Sequence, residues 1–439
     1  MPRYPIVLAV LLACSPAEIG TNTGGSSGGA SSSTGSIGST VTDASSSTGH
    51  DASSSASTDA PTTAAPTTAA DASSGDPSTS AASTCGDGVR DPGDLCFEAA
   101  RTLTLGGSPV AIADGDLDGD GTLDLVVVDF ANRQIVRLRG TGGAELAAID
   151  PPLPSFLSPR GLVLAHLDPD DRVDLAVADL GIDLLGIYLA DGRPGDFSDP
   201  VPAKAGAKPR AIVAADLDAD GQVDLVVANE GSHDLSVLLA DGPGSFADPV
   251  DLPVGAQPYD LALADFDGDG RLDLASADND ADAVSVLLAD GPGSFAPATA
   301  YPVTPEPRSL SVGDIDGDGE LDIVATSYTF PDIRVLLGEG DGGFADQPGF
   351  VPADFGLYAV VAVDLDHDGA TDIVGVDRNK SELVVLRNLG PGKIPRLDVL
   401  AIGLQPVDLV VVDLDGDGAL DVATADSGGG TVTVLRADP

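Results

Sequence analysis

Tryptophan is absent from the 439 residues, methionine occurs only at position 1, and aromatic residues make up 4%. A core of large rings is thereby excluded. Val, Leu, Ile and Ala must fill it, which suits strands in closely packed sheets. The missing indoles argue against a sugar site that stacks on Trp and leave Tyr259, Tyr301, Tyr328 and Tyr358 for that task. Basic residues are scarce as well: 21 Lys and Arg face 70 Asp and Glu, for a net charge of −49. Nucleic acid is excluded as a partner, because phosphate binding needs a basic surface. The four histidines, His50, His166, His233 and His367, stand beside no Ser or Cys constellation. No G-x-S-x-G, phosphate-cradling glycine loop or H-E-x-x-H occurs, so the chain does not read as an enzyme. A helical period is also missing from the repeated part, where Gly or Pro interrupts every dozen or so residues.

What is present begins with an apolar run, Ile6 to Ala13, after Arg3. It is too short to span a bilayer and reads as a signal-peptide core over residues 1–13. Leu11-Leu-Ala-Cys14 resembles a bacterial lipobox, which implies lipid on Cys14 and, with Ser15 next, an outer-membrane or cell-surface location. Ordinary secretion without lipid is the alternative. Residues 14–84 are almost wholly Ser, Thr, Ala, Gly, Asp and Pro. Such a segment cannot bury enough apolar area to offset its ordering entropy, so it reads as a disordered tether. As a flexible coil it spans on the order of 45 Å. Residues 85–96 carry Cys85 and Cys96 around turn formers, which fits a local disulfide in an oxidising compartment or two surface thiols. This element resembles a short Cys-rich repeat of surface proteins from predatory and gliding bacteria.

From Phe97 onward the chain repeats itself. The pattern D-x-D-x-D-G-x-x-D starts at Asp116, His166, Asp216, Asp265, Asp314, Asp364 and Asp413, at intervals of 49 or 50 residues. Each period reads as four short strands. Runs such as Leu125-Val-Val-Val128 are apolar without alternation and imply burial on both faces. The last repeat stops at Pro439, short of a fourth strand, while Phe97 to Pro109 matches Phe246 to Pro258 in its Phe, Leu, Gly and Pro positions. An N-terminal strand that completes the last unit closes a ring. Residues 97–439 are therefore expected to form an all-β, seven-bladed propeller of four-stranded blades.

The repeated loops carry a metal-ligand pattern. Calcium takes six to eight hard oxygen ligands on a tight turn. Asp at positions 1, 3, 5 and 9, a carbonyl at 7 and Gly at 6 supply them. The carboxylates are Asp116, Asp118, Asp120 and Asp124 in the first repeat and Asp216, Asp218, Asp220 and Asp224 in the third. The fourth offers Asp265, Asp267, Asp269 and Asp273, and the fifth Asp314, Asp316, Asp318 and Asp322. Asp364, Asp366, Asp368 and Asp372 follow in the sixth, and Asp413, Asp415, Asp417 and Asp421 in the seventh. The second repeat departs: His166 replaces the first Asp, Asp171 holds the Gly position, and Asp168, Asp170 and Asp174 remain as a weak or empty site. About six Ca²⁺ sites are expected, with His166 as a ligand for another metal the lesser reading. EF-hands are excluded, since position 12 is Val127, Ser276 or Ala325 rather than Glu.

The seven loops resemble FG-GAP or VCBS repeats, the blades of integrin α-subunit heads and of many bacterial surface proteins. The resemblance implies calcium between the first and second strands of each blade, usually holding the fold. It also implies a surface binding or adhesion scaffold, with a calcium-dependent polysaccharide lyase or phospholipase-like enzyme as the alternative. Six residues before each anchor stand Val110, Arg160, Arg210, Tyr259, Arg308, Tyr358 and Val407, at the channel mouth opposite the calcium loops. Arg160, Arg210, Tyr259, Arg308 and Tyr358 there fit a carboxylate-bearing protein or glycan partner, or else offset local acidity. A lipid-anchored monomer is expected.

Overall fold

In the computed structural model, the described residues are 95–142, 145–193, 195–347, 355–390 and 396–437. The expected signal segment, Cys14, the tether and Cys85 lie outside them. Cys96 is disulfide-bonded.

The non-alternating apolar runs become strands buried at every residue, among them Asp124–Asp129, Asp273–Asp278 and Asp421–Asp426. Each lies second in a four-stranded antiparallel sheet. In the first blade the order from the axis outward is Pro109–Gly115, Asp124–Asp129, Gln134–Gly140 and Leu146–Pro154. Five further blades repeat this order. The seventh takes Pro406–Val412, Asp421–Asp426 and Thr431–Leu435 from the end of the fold, and its outer strand, Arg101–Thr104, from the beginning. Arg101 pairs with Val434 and Thr104 with Thr431. A bridge between Phe97 and Ala437 and the Glu98 N–H donating to the Arg436 carbonyl at 2.7 Å extend this closure.

Each innermost strand packs against those of both neighbouring blades, and Pro406–Val412 packs against Pro109–Gly115, so the ring is closed. The core lies between blades rather than within any one. One apolar cluster joins the first and second blades and another the fourth and fifth. The largest spans the sixth, seventh and first, across the seam. Burial of this kind leaves backbone donors that need partners. Between adjacent innermost strands, side chains supply some. Asp408 accepts the Ile112 N–H at 2.9 Å, Asp260 that of Leu310 at 3.1 Å, and the Ser311 hydroxyl that of Ala362 at 2.9 Å.

Two details differ from the sequence reading. Besides the four strands read for each period, Asp290–Phe295 belongs to a two-stranded hairpin, Ala289–Gly291 with Ser294–Phe295. Its counterpart one blade earlier is Ala240–Gly242 with Ser245–Phe246. The hairpin is held from outside: the Gly293 N–H donates to the Leu217 carbonyl on the preceding blade's acidic loop at 3.0 Å. Second, Asn279–Ala281 forms a single turn of 3₁₀ helix after the second strand of the fourth blade.

Candidate metal centres and a cationic channel mouth

The acidic loops join the first two strands of each blade, and the strand ends set their shape. In the first loop, one Asp116 oxygen accepts the N–H groups of Gly119 and Asp120, at 2.7 and 3.1 Å. The other accepts that of Gly121 at 2.9 Å. Asp118 accepts the Asp120 N–H at 3.2 Å, and Asp120 that of Thr122 at 2.9 Å. The bonds from the fifth and sixth N–H groups to the first Asp recur in the third to seventh loops, and that from the fourth N–H in the fifth and seventh. Gly at position 6 takes a φ near +85° to +95° in all six regular loops, a conformation that Cβ resists.

Position 9 does a second job. The Asp124 carboxylate accepts the Leu117 N–H at 3.0 Å and the Gly140 N–H at 2.8 Å. Asp174, Asp224, Asp273, Asp322, Asp372 and Asp421 make the same pair of bonds in their blades. This residue bolts the loop to the third strand in every blade, including the second.

Among the described residues, six groups of three acidic side chains bring one oxygen each within 4.8 Å of one another. Five of these are Asp116/Asp118/Asp124, Asp216/Asp218/Asp224, Asp265/Asp267/Asp269, Asp314/Asp316/Asp322 and Asp364/Asp366/Asp372. Hard, converging oxygens suit Ca²⁺. The charge state points the same way. Burial first, and then the neighbouring loop carboxylates, push Asp124, Asp322 and Asp421 up to about 6 and Asp372 up to about 7. Asp366 Oδ1 is buried with no hydrogen-bond partner. A divalent cation between these groups relieves both strains.

The second loop is built differently. His166 Nδ1 lies 2.7 Å from the Arg172 carbonyl, and the Arg172 guanidinium pairs with Asp170. Asp171 sits at φ +59° where the other loops use Gly. That pair is 42% and 28% exposed, so the His at the first position and the Asp at the turn, more than this cation, set the second loop apart.

At the other end of the ring, the innermost strands begin with a bulge. Pairing skips the residue after each Pro109, Pro209, Pro258, Leu357 and Pro406, which places the break at Val110, Arg210, Tyr259, Tyr358 and Val407. Bulges re-aim side chains, and a linked cluster results. Arg160 lies over the Phe130 ring at 3.9 Å, and Arg210 over Tyr259 at 3.5 Å. Arg308 lies over Tyr358 at 3.8 Å and within 5.3 Å of the Tyr259 centroid. Arg378, from a loop of the sixth blade, lies 5.3 Å from the Tyr358 centroid. Glu230 pairs with both Arg210 and Lys208. Arg308 donates to the Tyr358 hydroxyl.

The five ring residues singled out from sequence are therefore brought together; Tyr358, Arg308 and Arg210 among them are buried, as are the apolar Val110 and Val407 at the two remaining positions. Burial first, then the Arg210 charge, lower the Arg160 pKa to about 10, and burial lowers that of Arg378. Arg160 Nε and Nη1 and Arg378 Nε are buried without a hydrogen-bond acceptor. Asp260, within reach of the Arg308 charge, is wholly buried and pushed up to about 7 by that burial.

Sequence reasoning missed several participants. Phe130 and Glu230 stand 14 residues after their anchors, the position that also carries Tyr328 and Arg378, so counting from the anchors would have found them, whereas Asp260 has only Asp408 as an acidic counterpart at its repeat position. A second periodic acid was there to be found: Asp129, Asp179, Asp278, Asp377 and Asp426 stand 13 residues after their anchors. Asp129 accepts the Ser108 N–H at 2.9 Å, and Asp179 and Asp278 fasten Ser158 and Gly255 likewise.

Residues 216–276, 265–325, 314–375 and 364–424 match the FG-GAP-like repeat family. No curated protein is significantly similar in sequence. Among solved structures, BBS1N in complex with ARL6DN is similar at 15% identity and TM-score 0.55, over 78% of this chain and 97% of that one. Virginiamycin B lyase from Staphylococcus aureus shares 12% identity and TM-score 0.52, over 77% and 99%. The Pan2 WD40 domain of Neurospora crassa shares 14% and TM-score 0.52, over 76% and 90%. At these identities the likeness shows the propeller fold alone, a fold used by scaffolds and enzymes alike.

Proposed function

We propose that the chain is a calcium-stabilised, extracytoplasmic binding scaffold, lipid-anchored through Cys14 and held off the surface by residues 14–84. Its partner, a protein or glycan, presents a carboxylate to the mouth formed by Arg160, Arg210, Tyr259, Arg308 and Tyr358. One observation carries the reading: in a chain of net charge −49, buried guanidinium donors of Arg160 and Arg378 lack acceptors at one end of the ring. A carboxylate accepts from such donors in charge-assisted bonds, and low dielectric strengthens them. The calcium loops lie at the other end and serve the fold. A polyanion is repelled by so acidic a surface, so a single or chain-end carboxylate fits better.

The test is a glycan and peptide binding screen of the full chain in calcium, with Arg160→Ala/Arg308→Ala beside it. Ligands lost only in the double variant support the reading. A screen in which every ligand binds both chains equally removes it.

A second reading, a polysaccharide lyase on the same ring, draws support from the Arg308–Tyr358 pair beside Asp260. Removing a proton next to a uronate carboxylate needs a cation on that carboxylate and a nearby base. Unsaturated products from uronate polymers, absent with Tyr358→Phe, favour that reading over simple binding.

A further inference from the structure

Twenty-three residues after each anchor, where the third strand ends, the repeats divide into two kinds. The second to fifth carry Leu189, Leu239, Leu288 and Leu337, while the first, sixth and seventh carry Arg139, Arg387 and Arg436. Those three blades are consecutive around the ring and include the seam. Leu189, Leu239 and Leu288 lie against Gly244, Gly293 and Gly342 on the hairpin of the following blade. There the residue is a packing device. The arginines turn instead to their own acidic loops. Arg139 Nη2 is 2.5 Å from Asp118, Arg387 Nη1 is 3.3 Å from Asp366 while its Nε donates to Asp398 at 2.9 Å, and Arg436 pairs with Asp415. In each case the partner is the third-position carboxylate, a side chain only 1% to 4% exposed.

We propose that the six regular loops form two classes of calcium site. The first, sixth and seventh hold a built-in guanidinium on one ligand carboxylate and bind calcium more weakly. The third, fourth and fifth keep that carboxylate wholly for the ion and bind more tightly. Calcium affinity of such loops follows ligand charge count, and a carboxylate this buried is screened little by solvent or salt, although the arginines themselves range from 1% exposed at Arg387 through 19% at Arg436 to 40% at Arg139. Arg271 also meets Asp269, but that carboxylate stands at the fifth position and is 28% exposed, so the pair counts for little. The seam blades thus carry their own partial substitute for the ion. When calcium is scarce, the third to fifth blades lose their counter-charge, whereas the joint of the ring keeps one. This inference rests on the calcium reading of the loops and is independent of any ligand at the channel mouth.

Calorimetric titration of the calcium-free full chain tests it. The expected isotherm has two classes of three sites, about tenfold apart in Kd, a difference of about 1.4 kcal/mol. Arg139→Leu moves one site from the weak to the tight class, and Arg139→Lys leaves the wild-type pattern. Asp267→Asn removes a tight site and Asp366→Asn a weak one, which keeps the test open if Arg139→Leu fails to fold. Six equivalent sites, or Arg139→Leu that binds calcium no more tightly, overturn the two-class proposal while leaving calcium in the loops. Absence of any calcium binding overturns the calcium reading itself, and the two-class proposal with it.

Discussion

The Asp408 carboxylate, on the innermost strand of the last blade, accepts the N–H of Ile112 on the innermost strand of the first at 2.9 Å. It also accepts the Leu409 N–H at 2.9 Å, and the side chain is wholly buried. A single acidic group therefore latches the two blades that the chain reaches first and last. Asp408→Ala leaves a buried donor without an acceptor, so a loss of about 1–3 kcal/mol in unfolding free energy is expected. Asp408→Asn keeps one acceptor oxygen and is expected to lose less. Denaturant melts of the three proteins in calcium check both, and equal stability of Asp408→Ala and wild type contradicts the latch.

Calcium removal is expected to lower the melting temperature, and its return to restore it. Extracellular loops of this type bind with Kd around 10⁻⁴ to 10⁻³ M. At about 100-fold excess over Kd each site adds about 2.7 kcal/mol by mass action. Calorimetric melts in EDTA and in a calcium series read the effect. A melt indifferent to calcium rules out a structural ion.

The pH dependence has an unusual sign. Asp260 is pushed up to about 7, Asp278 and Asp114 to about 6, and Asp408 well above the ordinary 3.8, burial leading in each case. Without calcium, Asp124, Asp322, Asp421 and Asp372 join them at about 6 to 7. A raised carboxyl pKa means the folded state holds its proton more tightly than the unfolded chain. That contribution is full below 3.8 and is lost as pH rises through 6 to 7. In EDTA the melting temperature is therefore expected to rise as pH falls from about 7 toward about 4. Calcium holds the loop carboxylates ionised and flattens the trend. A melting temperature that falls across this window in EDTA contradicts the assignment.

The second loop offers a gain-of-site test. His166→Asp, Asp171→Gly and Arg172→Gln together restore the first ligand, the turn residue and a free Asp170. Asp174 already makes the bolt that the other blades use, at 2.8 Å to Leu167 and Ala190 N–H. Calcium stoichiometry is expected to increase by one. An unchanged count places the defect elsewhere, with Pro169 the next residue to change.

Much of this was legible in the sequence because the period is near-constant. The anchors fix the loops, and counting six residues back from them finds the ring of Arg160, Arg210, Tyr259, Arg308 and Tyr358. The split of the last blade was also readable, since Phe97 to Pro109 matches the segment the last repeat lacks. What the period hides are the exceptions to it. One residue beyond the ring stand Ala111, Gly161, Ala211, Asp260, Ser309, Ala359 and Asp408. No periodic signal marks the two acids there, and only the packing of neighbouring strands shows that they reach the next blade. Glu230 and Phe130 share one repeat position, but with different residue types it carries no single chemical pattern; Glu230 meets Arg210 within its own blade, and Phe130 meets Arg160 once the second blade packs on the first.

The closing strand has a consequence for the order in which the protein is made. Thr104 pairs with Thr431, a residue synthesised 327 positions later. Each of the first six blades can complete its own ladder soon after its fourth strand emerges. The strand made first must wait for the strand made last, and loop closure over such a span is slow compared with a local hairpin. Until then the outer edge of Thr431–Leu435 and the facing sides of the first and seventh blades are uncovered. The seam is thus the final folding event and the interval of greatest exposure to mispairing with another chain.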